Sequence, residues 1–170
     1  MACALTPAPN DLLGLIQLRR QRATQVVLEA KRQKGATWEQ IATAVGRSPV
    51  WVTSCCLGEN AMDVESAEKL VAFLGLEGAE AKTTVEVLVA SVPMKGQLDW
   101  SLAVQDPTIY RLHEVNQIYG LTLKELIQEK FGDGIMSAID FTMELEKEQD
   151  PKGDRVKIIM SGKFLPYKKW

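Results

Sequence analysis

The sequence predicts a mainly α-helical protein with a small β part. Three observations support this fold class. Apolar residues recur at helical spacing between capping signals over residues 11–92. The period of the apolar pattern changes from 3.6 to 2 after Gly132-Asp133-Gly134. The 170 residues, 46% hydrophobic and 25% charged, have an ordinary globular composition. We therefore expect a flexible N-terminus (1–10), a helical bundle (11–92) and a C-terminal α+β domain (93–170).

Capping signals divide the first half into five predicted helices. Thr37 and Gln40 have the spacing of a capping box, and Ser48-Pro49 is typical of a helix start. Lysines and an arginine precede Gly35, as at many helix C-termini. The helices are expected over Asp11 to Lys34, Thr37 to Gly46, Ser48 to Leu57, Asp63 to Gly75, and Ala79 to Ala90. The second and third helices, joined by a glycine-containing turn, resemble a helix-turn-helix.

Two further helices are predicted in the C-terminal half. Residues 93–106 show few periodic signals and are interpreted as a connection. Asp106-Pro107 begins a helix that should end at Tyr119, before Gly120. A second capping box, Thr122 to Glu125, opens a helix that should end at Phe131.

A β-hairpin is predicted at the end of the chain. Residues 149–154 have the composition of a turn, and residues 155–164 supply an apolar return strand. The first strand should bury one face, formed by Ile135, Ser137, Ile139, Phe141, Met143 and Leu145. A lone hairpin is marginal in water, and open edges must be covered. We therefore expect dimerisation through intertwined hairpins within a symmetric oligomer.

Composition and charge exclude several classes of protein. A net charge of −2 gives no basic excess for binding nucleic acid. No apolar run is long enough for a membrane span, and residues 1–10 have no secretion signal. Three cysteines, two of them adjacent, form no disulfide framework, and one histidine makes a zinc site implausible. We expect a cytoplasmic protein without a metal.

The helix-turn-helix pattern leaves a non-enzymatic, oligomeric DNA-binding regulator as the alternative function. Residues 49–57, in the position of the recognition helix, contain no Lys or Arg, and only Arg47 stands just before them. The simpler interpretation is a helix that packs within the bundle. Cys55 and Cys56 are then small buried residues, and His113 is interpreted as a surface residue.

Three polar residues of the C-terminal half are candidates for chemistry. Ser137 falls on the predicted apolar face, where its hydroxyl must find a partner. On a helical wheel, Leu112, Val115 and Tyr119 centre the predicted buried stripe, and Arg111 lies on its flank. Glu114 follows one turn later. On pattern alone the packing interpretation is favoured for all three residues: a serine satisfied by a neighbouring carbonyl, and an exposed Arg111–Glu114 ion pair.

Four blocks of the sequence resemble cyanase, the cyanate hydratase or cyanate lyase family. The blocks are Asp106 to Glu114, Tyr119-Gly120, Leu126 to Ala138 with its Glu129-Lys130-Phe131-Gly132-Asp133-Gly134-Ile135 run, and Gly162 to Pro166. Their order and spacing match the family from about Pro93 onward. The helical half is collinear with the lambda-repressor-like bundle of the family, which does not serve DNA binding. Phe164 and the Lys168-Lys169-Trp170 ending depart from the family pattern.

The resemblance implies a catalytic set of Arg111, Glu114 and Ser137. It implies a bicarbonate-dependent decomposition of cyanate to carbamate and carbon dioxide, with carbamate yielding ammonia, as a detoxifying lyase reaction. It also implies a homodecamer built as a pentamer of dimers. Cyanate and bicarbonate would be the small-molecule partners, with no metal, no organic cofactor, no nucleic acid and no membrane.

Overall fold

The computed structural model describes residues 12–90, 93, 95–96 and 99–170. The predicted flexible N-terminus, the helix start at Asp11 and the predicted boundary at residue 92 lie outside these ranges. The chain divides into two compact units, residues 1–96 and 97–170. The first unit contains α1 (Leu12–Lys34), α2 (Trp38–Val45), α3 (Pro49–Cys56), α4 (Val64–Leu74) and α5 (Gly78–Ala90). The second contains α6 (Trp100–Ala103), α7 (Pro107–Phe131), β1 (Gly134–Glu148) and β2 (Arg155–Pro166).

Helix caps set the ends of the first-unit helices. In the capping box of α2, the Gln40 N–H donates to Thr37 Oγ1 at 3.2 Å and the Thr37 N–H donates to Gln40 Oε1 at 2.9 Å. Asp63 caps α4 by accepting from the Ser66 N–H at 2.9 Å. Ser48 precedes α3 as predicted but makes no side-chain capping bond, so Pro49 alone marks that start.

The core of the first unit lies where its helices meet. Its fully buried large side chains are Val27, Ile41, Val52, Cys55, Cys56 and Leu70. Three of them belong to α3, so this helix is held by packing, as the simpler interpretation predicts. Burying an aliphatic side chain of this size contributes about 1.5–3 kcal/mol.

A short helix, α6, occupies the segment that the sequence analysis interpreted as a plain connection. Asp99 accepts a hydrogen bond from the Ser101 N–H at 2.8 Å and so caps the helix. Ala103 is buried, whereas Trp100 stays 56% exposed. Four residues are too few for periodicity to detect, which is why the prediction missed the helix.

The two helices predicted over residues 107–131 are one continuous helix, α7. Gly120 therefore lies inside the helix instead of ending it, and the predicted second capping box is not used. An internal glycine costs only about 1 kcal/mol relative to alanine, which the helix of 25 residues tolerates. The prediction of a break was wrong because Gly120 and the capping-box pattern from Thr122 to Glu125 are local signals, and the helix continues through both.

The stripe of α7 predicted to be buried is exposed in the single chain. Leu112, Val115 and Tyr119 are 54%, 49% and 54% exposed. The best covered positions, all half-buried, are Ile109, His113, Glu114, Gly120, Ile127 and Gln128. The wheel therefore located an apolar stripe but assigned it to the interior wrongly, since none of the described parts of the chain buries it.

The antiparallel hairpin of β1 and β2 contains an irregularity that changes its faces. Met136 pairs with Phe164 and Phe141 pairs with Gly162, so residues 137–140 face only Lys163. Directly opposite residues share a face. The largely apolar face is therefore formed by Met136, Phe141, Met143, Leu145, Val156, Ile158, Met160, Gly162 and Phe164. The prediction that Ile135 and Ile139 belong to it was wrong, and Ile139 is 99% exposed.

Candidate active site

The first turns of α7 carry Arg111 and Glu114. Asp106 caps this helix by accepting from the Thr108 and Ile109 N–H groups at 2.8 and 2.9 Å, and Pro107 occupies the first turn. The cap fixes where the helix begins, and with it the side from which both side chains project. This start is the one that the sequence predicted.

Arg111 and Glu114 form an ion pair in which Arg111 Nη1 donates to Glu114 Oε2. The arginine side chain is 68% exposed and the glutamate side chain 31% exposed. An exposed pair of this kind adds at most a few tenths of a kcal/mol to stability. Within the described residues, this is the only hydrogen bond of the guanidinium. Most of its five N–H donors therefore remain free for a planar anion.

Ser137 lies at the start of the irregular stretch of β1 and is only 5% exposed. Its Oγ accepts hydrogen bonds from the Ile139 and Asp140 N–H groups, both at 3.0 Å. Its partners are thus local N–H groups and not the neighbouring carbonyl that the packing interpretation predicts. Both bonds use the oxygen as acceptor, and the described chain gives the hydroxyl proton no acceptor. The hydroxyl can still donate to a third group.

The three candidates are placed on two different elements. Arg111 and Glu114 contact each other, whereas no hydrogen bond among the described residues joins Ser137 to either of them. One chain thus presents an exposed guanidinium fork and, separately, a hydroxyl held by the backbone. These are the groups that recognition of an anion and stabilisation of a negative oxygen require.

An aromatic contact beside the pair was missed by the sequence analysis. His113 is half-buried instead of exposed, and its ring meets the Trp100 ring edge-on with centroids 4.5 Å apart. Tyr110 lies one turn away, at 6.5 Å from the same imidazole. The spacing of Tyr110 and His113 could have signalled a shared face, but nothing local predicted that Trp100 would reach them.

The third helix of the first unit, in the position of a recognition helix, is packed and carries no cation for phosphate or guanine contacts. In α3, Val52, Cys55 and Cys56 are buried, and the helix contains no Lys or Arg. The nearby Arg47 is engaged, since it donates to Asp63 at 3.2 Å and lies over the Trp51 ring. Burial raises the pKa of Cys55 to about 11 and that of Cys56 to about 12, so neither thiol is a ready nucleophile.

The described ranges contain neither a cluster of metal ligands nor a membrane-spanning helix. No group of three His, Cys, Asp or Glu side chains in these ranges could hold a metal ion. Among the helices that the structure describes, none is both long and apolar enough to cross a bilayer.

Comparisons with known proteins point to one family. Residues 20–87 match the family model "Cyanate hydratase, N-terminal", and residues 101–169 match "Cyanate lyase C-terminal domain". The chain is 56% identical to a cyanate hydratase of Marinomonas sp. over 154 residues, which is 90% of this chain and 100% of that protein. It is 51% identical to a cyanate hydratase of Prochlorococcus marinus over 87% of this chain and 97% of that protein.

A solved structure agrees with the sequence comparisons. The crystal structure of cyanase from T. urticae superimposes with a TM-score of 0.74 at 36% identity, and the match covers 85% of this chain and 96% of that chain. The fold and the sequence agree over most of the chain, and on these grounds the chain belongs to the cyanate hydratase, or cyanate lyase, family.

Proposed function

We propose that this protein is a lyase that decomposes cyanate with bicarbonate. Cyanate, bicarbonate and one proton give carbamate and carbon dioxide, and carbamate with a second proton gives ammonia and a second carbon dioxide. One observation carries the proposal: the chain spans the full length of a cyanate hydratase with which it shares 56% of its residues. The DNA-binding alternative is not retained, because α3 is packed and carries no cation.

The first task of such an enzyme is to bring two anions together. Two unit negative charges 4 Å apart repel by about 1 kcal/mol in water and by about 4 kcal/mol at an effective dielectric of 20. Arg111 is suited to cancel this repulsion, because its guanidinium stays charged and most of its donors are free. A planar fork also orients a carboxylate-like anion through two hydrogen bonds, which a lysine does not do.

Glu114 and Ser137 then take different roles. Glu114 accepts a hydrogen bond from Arg111 and holds the fork in one orientation. The Ser137 hydroxyl is anchored by two N–H donors and directs its proton toward the substrate oxygen that gains charge when bicarbonate oxygen attacks the cyanate carbon. Holding both reactants in line contributes up to about 7–11 kcal/mol in well-oriented cases. Neither role requires a metal or an organic cofactor.

Assembly completes the proposal. One arginine supplies one positive charge for two anions, so we place the site at a subunit boundary where copies of Arg111 converge. Apolar surface on α7 and on the hairpin supports this placement, since Leu112, Ile118 and Val156 are 54%, 62% and 74% exposed. We propose a homodecamer, a pentamer of dimers with intertwined hairpins, acting in the cytoplasm. The bundle of residues 11–92 would then be an accessory domain, and residues 93–170 the catalytic and assembly domain.

The stoichiometry of products tests the function. The proposed reaction releases one ammonia and two carbon dioxide molecules for each cyanate consumed in the presence of bicarbonate. Simple hydrolysis of cyanate would release only one carbon dioxide per ammonia. We expect a ratio of two, and a ratio of one, or no ammonia above the level of an Arg111→Ala control, would contradict the proposal.

A further inference from the structure

The position of Ser137 depends on an unusual stretch of backbone. Residues 137–140 fill the space between the pairs Met136–Phe164 and Phe141–Gly162, opposite Lys163 alone. Two N–H groups of this stretch turn inward to the Ser137 hydroxyl, while the Ile139 side chain is 99% exposed. The stretch is a bulge folded around one buried serine, and we call residues 137–140 the β1 bulge.

Gly162 lies where the β1 bulge returns to the strand. A Cβ atom built on Gly162 would overlap the main-chain carbonyl oxygen of Ser137. It would also lie 2.6 Å from Met136 Cγ and 3.3 Å from Phe141 Cδ2. Real Cβ atoms do not approach other heavy atoms within 3.0 Å, so any side chain at this position forces a shift.

The requirement for glycine at residue 162 concerns space and not backbone conformation. Glycines with positive φ are required because other residues rarely adopt that conformation, but Gly162 is not among them. The backbone conformation of Gly162 would therefore suit any residue. What excludes other residues is the Ser137 carbonyl oxygen, which occupies the position that a Cβ atom would take. A glycine inside a strand, where it packs nothing, often marks such a close approach of another backbone.

We infer that Gly162 is a positioning residue for the reaction: the space left by its missing side chain seats the Ser137 carbonyl and so sets the direction of the Ser137 hydroxyl. This inference rests on the proposed function for the role of Ser137, and on the structure alone for the contact. A side chain at residue 162 displaces the Ser137 main chain and breaks the bonds from the Ile139 and Asp140 N–H groups. The substrate oxygen then loses its donor, although Gly162 never touches substrate.

A double-mutant cycle tests this role. We expect Gly162→Ala to lower kcat for cyanate at least tenfold, with KM changed less than twofold. In a Ser137→Ala background, the same change at residue 162 should lower kcat less than twofold, because the group it positions is already gone. Equal losses in both backgrounds, or an unchanged kcat in Gly162→Ala, would overturn the inference. Ser161→Ala, an exposed neighbour on β2, is the matched control and should leave kcat unchanged.

Hydrogen–deuterium exchange of the β1 bulge tests the contact without any catalysis. In the unaltered protein the Ile139 and Asp140 amides should be protected, and in Gly162→Ala they should exchange at least tenfold faster. If the two amides stay protected in Gly162→Ala, the inference is overturned whatever the activity. If they exchange faster in Gly162→Ala but the unaltered protein has no cyanate activity, only the proposed function is contradicted. The two failures are thus distinguishable.

A second variant separates the main-chain overlap from side-chain crowding. Met136→Ala removes the side chain that would lie 2.6 Å from the new Cβ atom, but it leaves the overlap with the Ser137 carbonyl. We expect Met136→Ala/Gly162→Ala to fold and to keep the low kcat of Gly162→Ala. Recovery of kcat would assign the effect to Met136 and overturn the inference. The inference confines the effect of Gly162→Ala to the β1 bulge, so failure of this double variant to fold would also contradict the inference.

Discussion

Removal of the Ser137 hydroxyl separates catalysis from stability. In Ser137→Ala, the proposed donor to the charged substrate oxygen is lost. Loss of one such donor lowers kcat by about 10²–10³-fold in enzymes that stabilise an oxyanion. We expect a fall of this size, with assembly unchanged, because the side chain is small, buried within its own chain and 5% exposed.

The cost to stability follows from the two hydrogen bonds that Ser137 accepts. Each is worth about 0.5–1.5 kcal/mol net, which gives an upper bound of about 3 kcal/mol. Both N–H groups turn inward to the hydroxyl, so we expect the loss of their acceptor to cost about 1–3 kcal/mol. At about 2–4 °C per kcal/mol for a chain of this length, the midpoint of thermal unfolding should fall by about 2–12 °C.

Ammonia release from cyanate and a thermal unfolding scan measure the two effects. Ser161→Ala removes an exposed hydroxyl from β2 and should keep both kcat and the unfolding midpoint. A kcat within twofold of the unaltered protein would refute the reasoning and leave Ser137 with a packing role only. A collapse of the fold without a separable loss of kcat would contradict the stability argument.

Four further predictions concern the anion fork, the thiols and assembly. Arg111→Lys should lose most turnover while it stays folded and assembled, and near-normal turnover would remove the role of the planar fork. Oxalate, a small dianion, should compete with bicarbonate in steady-state kinetics; absence of inhibition would count against a pocket for two anions. In a Cys3→Ser variant, Cys55 and Cys56 should resist a thiol reagent at pH 8 until the protein unfolds, since burial raises their pKa values to about 11 and 12. Their contribution to the free energy of unfolding is full below pH 9 and falls above it, because the thiols ionise in the unfolded chain at a lower pH than in the folded one. Sedimentation should show a large oligomer at micromolar concentration, and a stable monomer would refute the assembly proposal.

Local signals predicted the first half of the fold well. The capping box of Thr37 and the cap of Asp63 are made within three or four residues, so the sequence alone contains the whole interaction. The buried positions of α3 follow in the same way from its apolar side chains and from its lack of cations. These features depend little on what the rest of the chain does.

Predictions that needed distant information were less accurate. Gly120 was taken as a helix end because its helix-breaking tendency is local, whereas continuation of α7 depends on the whole helix. Strict alternation placed Ile139 on the wrong face because the β1 bulge shifts the pairing register between β1 and β2. The shift depends on both strands, since residues 137–140 of β1 lie opposite Lys163 of β2 alone. Trp100 reaches His113 through the turn between α6 and α7, which no spacing rule predicts.

The candidate site was predicted in part. The Arg111–Glu114 pair follows from a spacing of three residues on a helix, and the structure confirms that pair. Ser137 was correctly expected to be buried, but its two N–H partners arise from the bulge and not from a regular strand. The roles of all three residues stay predictions, as do the oligomer and the compartment.

The dependence of ammonia release on bicarbonate tests the central claim most directly. At a fixed concentration of cyanate, in buffer freed of carbon dioxide, the initial rate of ammonia release by the purified protein should be close to zero, before product carbon dioxide forms bicarbonate. Added bicarbonate should restore the rate along a saturating curve, because the proposed reaction uses bicarbonate as a reactant bound at Arg111. A rate that is the same with and without bicarbonate would contradict the account.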